Sequence, residues 1–342
     1  MATFADVNQD AVQLQQRVER FHSVRENIVT QVREVIVGQD EVLDQVLIAL
    51  FVGGHCLMTG MPGTAKTLMV RTIAEALGLE FRRIQFTPDL MPSDITGTDI
   101  IEEDLATGHR KWTFVPGPIF GNILLADEIN RTPPKTQAAL LEAMQEHSCT
   151  VRGQGYPLPA PFFVLATQNP IELEGTYPLP EAQLDRFLFN ATLDYLRPDE
   201  ELKVLSLTTT TRRPNVQAVT SAEEMLDFQQ LVRMVPIADS VARYVIDLVR
   251  ATRHKSDNAP DFVKKYVNYG GSVRAAQFVV LAAKARALSR KRYHVTYEDI
   301  TSLLIPVLRH RILLNFHAES ERIDTDEILR RLLRHMPPPR EI

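Results

Sequence analysis

The chain has 342 residues, 44% of them hydrophobic and 24% charged, and its 38 Lys+Arg against 43 Asp+Glu give a formal net charge of -5. That length suits about two domains with a real core, and the lack of a basic excess argues against a protein whose main business is duplex nucleic acid. Only two cysteines occur, Cys56 and Cys149, neither in a C-x-x-C pair, so no disulfide framework and no Cys-type zinc site are expected. The N-terminus shows no basic-then-apolar leader pattern, and the longest apolar runs are far too short to span a bilayer. A cytoplasmic protein without membrane insertion is expected.

Between residues 10 and 36, Leu14, Val18, Phe21, Ile28, Val32 and Val35 recur at helical spacing, which predicts a helix laid on the main domain. From Gly38 to about Leu196 short apolar runs alternate with helix-period segments. The predicted strands are His55–Thr59, Phe81–Phe86, Ile123–Ala126, Phe162–Thr167 and Leu188–Leu193. The predicted helices are Gln39–Phe51, Lys66–Leu77, Lys135–His147 and Glu181–Phe187. Such alternation implies an α/β domain with a mostly parallel five-stranded sheet covered on both faces. After Pro198 strand signals vanish. Ala222–Met234, Ser240–Arg253, Ser272–Arg290, Thr296–Leu308 and Thr325–His335 all read as helices, with a capping-box start at Thr296-Tyr297-Glu298-Asp299. The expected organisation is an N-terminal helix (1–36), an α/β domain (37–197), an all-α domain (198–336) and a frayed, proline-rich tail (337–342).

Gly60-Met61-Pro62-Gly63-Thr64-Ala65-Lys66-Thr67 follows a predicted strand and opens a predicted helix, which is the context a phosphate-binding loop demands. Glycines let backbone N–H groups turn onto phosphate oxygens, and the helix N-terminus adds positive partial charge. Lys66 supplies a cation for the β- and γ-phosphates of ATP, and Thr67 offers a hydroxyl to Mg²⁺. Ala65 stands where such loops normally carry glycine. Alanine is harmless there if the backbone is right-handed and costly if φ is positive.

Ile123-Leu124-Leu125-Ala126-Asp127-Glu128 sends four apolar residues into two carboxylates at the C-terminal end of a strand, where ligands bind in open α/β sheets. Asp127 can hold Mg²⁺, and Glu128 can orient and deprotonate the attacking water.

With these motifs in order, the sequence resembles an AAA+ ATPase, and within that group the MoxR family, over about Val32 to His335. Val35-Ile36-Val37-Gly38-Gln39 resembles the segment that packs on the adenine, which adds Val37 and Gly38 to a nucleotide-binding set of Gly60, Pro62, Gly63, Thr64, Ala65, Lys66, Thr67 and Leu68. The loop form with Ala65 is similar to that of MoxR members. Asp127-Glu128-Ile129-Asn130-Arg131 resembles the family's continuation of the acidic strand end. Ala166-Thr167-Gln168-Asn169-Pro170 resembles the sensor 1 strand end, where Asn169 would hold the attacking water or the γ-phosphate. Ala182-Gln183-Leu184-Asp185-Arg186-Phe187 resembles the segment carrying the arginine finger, Arg186. Gly270-Gly271-Ser272-Val273-Arg274-Ala275 resembles sensor 2, with Arg274 at the start of a lid helix. Taken singly, Asn169 reads more readily as a turn residue before Pro170, and Arg186 and Arg274 read as solvated surface charges. Two hairpin signals, one turning at Thr107-Gly108 and one at Gly153-Gln154-Gly155, resemble the helix-2 insert and pre-sensor-1 hairpin of the branch that includes MoxR.

The resemblance implies an ATP-driven remodelling chaperone working as a hexameric ring, often with a partner bearing a von Willebrand factor A-type domain. Its competitors are a magnesium chelatase-type motor subunit, which would share nearly every motif, a DNA-translocating helicase, and a nucleotide-binding scaffold without turnover. The net charge argues against the helicase and Glu128 against the scaffold. An AAA+ transcription activator would need a Gly-Ala-Phe-Thr-Gly-Ala loop, which Asp94-Ile95-Thr96-Gly97-Thr98 does not match.

Overall fold

The computed structural model of the chain describes residues 4–103, 110–170, 175–211 and 214–339. The predicted turn at Thr107-Gly108 and the end of the tail, 340–342, lie outside these. Helices α1 (Phe4–Val35) and α2 (Asp40–Val52) precede β1 (His55–Gly60), α3 (Lys66–Leu77) and β2 (Phe81–Gln85). A short helix α4 (Pro92–Thr96) leads into the antiparallel hairpin β3 (Gly97–Glu103) and β4 (Arg110–Pro116). Then come β5 (Ile123–Asp127), α5 (Pro134–Glu146), a second hairpin of β6 (Ser148–Val151) and β7 (Gln154–Pro157), β8 (Phe163–Gln168), α6 (Glu181–Leu184) and β9 (Phe187–Leu193). The five core strands form one parallel sheet in the order β2-β5-β8-β1-β9. The inner strands β5 and β8 are buried almost throughout because helices cover both faces, which is why they read as continuous apolar runs rather than alternations. Strand β2, at the edge, keeps polar residues on its exposed side.

From Pro198 the chain is helical, with α7 (Pro198–Thr208), α8 (Ala222–Met234), α9 (Asp239–Ala251), α10 (Asp261–Tyr266), α11 (Val273–Ser289), α12 (Tyr297–Leu308), α13 (Phe316–Ser320) and α14 (Thr325–His335). One addition to the predicted all-α domain is a small antiparallel ribbon of β10 (Val267–Tyr269) and β11 (Leu313–Leu314), too short to carry a readable period. Helix α1 joins the two halves. Its stripe buries Val18, Phe21, Val24, Ile28 and Val32, while Leu14 stays exposed. The Phe21 ring meets Phe51 of α2 at 4.7 Å and Phe228 of α8 at 5.3 Å between centroids. Outside that stripe Arg17 pairs with Asp227 at 2.7 Å and Arg20 with Glu224 at 2.6 Å.

The two hairpins dock on each other. The Phe114 ring stacks on Tyr156 at 4.0 Å, and the Arg152 guanidinium lies 4.2 Å over Trp112 and 3.7 Å from Asp99.

Helices α11 and α12 are joined by a buried carboxylate. Asp299 is fully buried and accepts from Arg286 Nη1 at 2.6 Å, Arg292 Nη1 at 2.7 Å and the Thr296 N–H at 3.0 Å, the last closing the predicted capping box. Burial pulls its carboxyl upward, but the hydrogen bonds from Arg292, Thr296 and Arg286 outweigh it and leave it below the usual carboxylate range. Asp299→Ala would strand a mostly buried guanidinium. It should lower stability by about 3–5 kcal/mol in urea unfolding; a loss below about 1 kcal/mol would mean that the network contributes little.

Candidate active site

Strand β1 delivers the loop 60–65 to the N-terminus of α3. Gly60 is required by its neighbour, since a Cβ there would sit 2.8 Å from the Leu193 carbonyl oxygen on β9. At Gly63, φ is +81°, and a Cβ would meet nothing within 4 Å, so that side of the loop is open to a ligand. Thr64 Oγ1 donates to the Met61 carbonyl at 2.8 Å and closes the turn. Lys66 Nζ reaches back to the carbonyls of Gly60 and of Met61, the latter at 3.1 Å. Partial burial lowers its pKa, and Asp127 and Glu128 oppose that shift. Ala65 answers the question left by the sequence: φ is +61° and ψ 22°, left-handed, so the costly alternative is the real one.

Asp127 and Glu128 leave the end of β5 opposite this loop. Thr167 on β8 clasps both, donating its hydroxyl to Asp127 Oδ1 at 2.6 Å and accepting the Glu128 N–H at 2.9 Å. The neighbouring strand β2 supplies cover. Arg83 donates to Asp127 Oδ2 at 2.7 and 3.2 Å, and Gln85 Nε2 to Glu128 Oε2 at 2.8 Å. Arg131 sits 3.2 Å from the same Glu128 oxygen. Glu128 is itself left-handed, at φ +56°. Thr167, Arg83, Gln85 and Arg131 were given no role in the sequence reading. Arg83 and Gln85 alternate onto one face of β2, but only the strand order reveals that this face lies beside β5.

Pro62 to Leu68, Asp127, Glu128, Thr167 and Asn169 line one cleft of about 400 Å³. The structure thus brings Pro62 to Leu68 of the predicted phosphate set together with Asn169, which is buried. The oxygen donors facing this cleft, the Thr67 hydroxyl and the two carboxylates, are the kind a hard divalent cation takes. An adjoining cavity of about 420 Å³ shares Pro62 to Ala65 and Leu68 as a common wall, and adds Val35, Ile36, Val37, Gln39, Tyr195, Leu196, Val204 and Leu205. Its apolar lining beside a phosphate cradle suits a purine base. Gly38 is held nearby, with φ +67°, where a Cβ would press on Leu196 at 2.9 Å.

Two predicted residues are not part of this cleft. Arg186, between α6 and β9, donates to the Leu141 carbonyl of α5. Arg274, in the first turn of α11, lies 3.5 Å from Asp185, the residue just before Arg186. Ser272 Oγ donates weakly to Asp185 at 3.3 Å, and Arg311 Nε donates to it at 2.8 Å. Of the two predicted arginines, Arg274 meets Asp185, while Arg186, its sequence neighbour, turns to Leu141.

Comparison with known proteins agrees with this geometry. Residues 55–189 match the ATPase family associated with various cellular activities (AAA), and residues 261–332 match the AAA lid domain. The class is thus that of a AAA+ ATPase, with a nucleotide-binding sheet and a helical lid. The chain is 41% identical over 314 residues to "Chaperone MoxR1" of Mycobacterium tuberculosis, covering 92% of this chain and 82% of that protein. It is 30% identical over 304 residues to "Protein MoxR" of Paracoccus denitrificans, covering 84% and 88%. The chain belongs to the MoxR family of AAA+ ATPases. A solved structure of a Cytophaga hutchinsonii protein assigned as an ATPase superposes with a TM-score of 0.89 at 40% identity, covering 97% of this chain and 99% of the other.

A left-handed alanine carries roughly 1–2 kcal/mol of backbone strain, partly offset because glycine loses more freedom on folding. Ala65→Gly should therefore raise the thermal unfolding midpoint of the nucleotide-free protein by a small margin, equivalent to under about 1 kcal/mol. A lower midpoint would show that the loop is right-handed at residue 65 in solution.

Proposed function

We propose that the chain is a Mg²⁺-dependent ATPase that assembles as a ring of identical subunits, a hexamer, and remodels or matures partner proteins in the cytoplasm. A protein with a von Willebrand factor A-type domain is the partner expected to recruit targets, with no role for nucleic acid. The chaperone reading is supported by the name of the Mycobacterium relative.

One observation carries the ring: the Arg186 guanidinium rests on Leu141, apart from the cleft in which Lys66, Asp127, Glu128 and Asn169 meet. The arginines beside this cleft, Arg83 and Arg131, are engaged by Asp127 and Glu128, and a cleft with a lysine, two carboxylates and a sensor is completed by the Arg186 of an adjacent copy. Arg274, tied to Asp185 just before Arg186, goes with it. In this mechanism Lys66 and the loop N–H groups bind the phosphates. Thr67 and Asp127 would hold Mg²⁺, which would supply charge neutralisation. Thr167 fixes the backbone of Glu128, so that its carboxylate accepts a proton from the water that Asn169 orients. Arg186 of the neighbour then stabilises charge on the transferred phosphoryl group.

Glu128→Gln should bind ATP with near-normal affinity and hydrolyse it at least about 10²-fold more slowly. Arg186→Ala should also bind ATP and lose on the order of 10³-fold in rate. Mixed together, the two nearly inactive proteins should regain activity, because Glu128→Gln subunits keep a finger and Arg186→Ala subunits keep a working cleft. Absence of recovery at every ratio, with co-assembly demonstrated and with Lys66→Ala tried as an alternative finger donor, would retire the shared site.

A further inference from the structure

Gln137 is fully buried on α5, a position that in most helices goes to an apolar side chain. Its Nε2 faces three carbonyl oxygens: Ile129 at 3.2 Å, Thr132 at 3.0 Å and Tyr177 at 3.1 Å. Its own Oε1, also buried, has no partner among the described residues. The amide cannot turn round, since Oε1 would then confront all three carbonyls. An orphaned acceptor is a penalty that a residue kept only for packing would not carry; what it secures is the donor side.

The three carbonyls are not scattered. Ile129 and Thr132 bracket the single turn of 3₁₀ helix, Ile129–Arg131, that starts from Glu128. Tyr177 belongs to the segment that leads through Pro180 into α6 and on to Asp185 and Arg186. A second bond sews the same two pieces together, from the Tyr177 N–H to the Asn130 carbonyl at 2.7 Å. One helical turn after Gln137, the Leu141 carbonyl receives Arg186. Helix α5 therefore grips the Glu128 turn at Gln137 and the arginine at Leu141.

We propose that Gln137 is a positioning residue that fixes Glu128 and Arg186 relative to one another, so that a shift at a copy's own cleft is passed to the arginine it presents to its neighbour. The inference rests on Arg186 acting in the adjacent copy. Two discrete positions of the Glu128 turn, one for each state of the cleft, would bias the finger through this hydrogen-bonded link.

The test isolates the finger by using donors whose own cleft is already dead. Glu128→Gln and the double variant Glu128→Gln/Gln137→Met are each mixed with Arg186→Ala. Methionine keeps the volume of Gln137 and removes its donors. The single donor should restore ATP turnover, and the double donor should restore on the order of 10- to 100-fold less, the scale of a misplacement of about an ångström. ATP affinity and assembled mass of the two donors should match, which a general loosening of the fold would not allow. If Gln137→Met does not assemble, Gln137→Glu replaces it, equal in length and without the amide N–H groups. Equal rescue by the two donors overturns the inference. Absence of rescue by the single donor, with co-assembly demonstrated, marks the failure of the shared site instead, and the proposed coupling falls with it.

Discussion

An arginine withdrawn from water must be answered by a fixed counter-charge, and Arg311 is answered by Asp185. Arg311 stands just beyond α12, in the lid, with its side chain 1% exposed. Burial drags its pKa down to about 10 even with Asp185 pulling it back up. Its Nε donates to Asp185 Oδ1 at 2.8 Å, and Nη2 to the Asp185 carbonyl at 3.0 Å, while Nη1 reaches the Leu188 carbonyl at 3.3 Å at the start of β9. Separating the lid from this side of the sheet would leave a bare buried cation, a loss on the order of 3–5 kcal/mol. The lid and the β9 edge are therefore joined at Asp185, the residue that Arg274 also meets and that precedes Arg186 in the chain.

The same logic of paired charge runs through the cleft. Asp127 and Glu128 are adjacent in sequence, and two carboxylates so close repel each other unless cations or donors share them. Arg83 shares Asp127, Arg131 and Gln85 share Glu128, and Thr167 holds the backbone between them. Glu128 takes a left-handed backbone that few residues of its size adopt, and the clasp to Thr167 together with the turn gripped by Gln137 keeps it there. On the opposite wall the loop N–H groups, the α3 N-terminus and Lys66 concentrate positive charge for an anion.

Much of this site could be read from the sequence because its parts are local. A glycine loop between a strand and a helix, and a run of apolar residues ending in two acids, each declare their geometry within a few residues. The parallel sheet was legible for the same reason, down to strand ends within a residue or two. What escaped depends on elements far apart in the chain. Arg83 and Gln85 matter because β2 lies beside β5, a crossover relation that no local pattern encodes. Thr167 was quoted within a motif, but its clasp needs β8 against β5. Gln137 reads as one polar residue in an amphipathic helix until its three carbonyl partners are brought to it. Ala65 was undecidable in kind, because alanine fits either backbone form, and the strain shows only in the dihedral angle. Helix α7 gave no signal because it buries no residue, so its apolar side chains form no stripe against the core.

The proposed arrangement divides the hydrolytic site between two copies of the chain. The most direct measurement is the specific ATPase rate as a function of protein concentration, with assembled mass followed by sedimentation on the same samples. With a divided site, the rate per subunit should collapse in step with loss of the oligomer, while the affinity for ATP stays nearly constant, since the binding cleft lies within one chain. A dilute monomer that hydrolyses ATP as fast per subunit as the concentrated protein would contradict it.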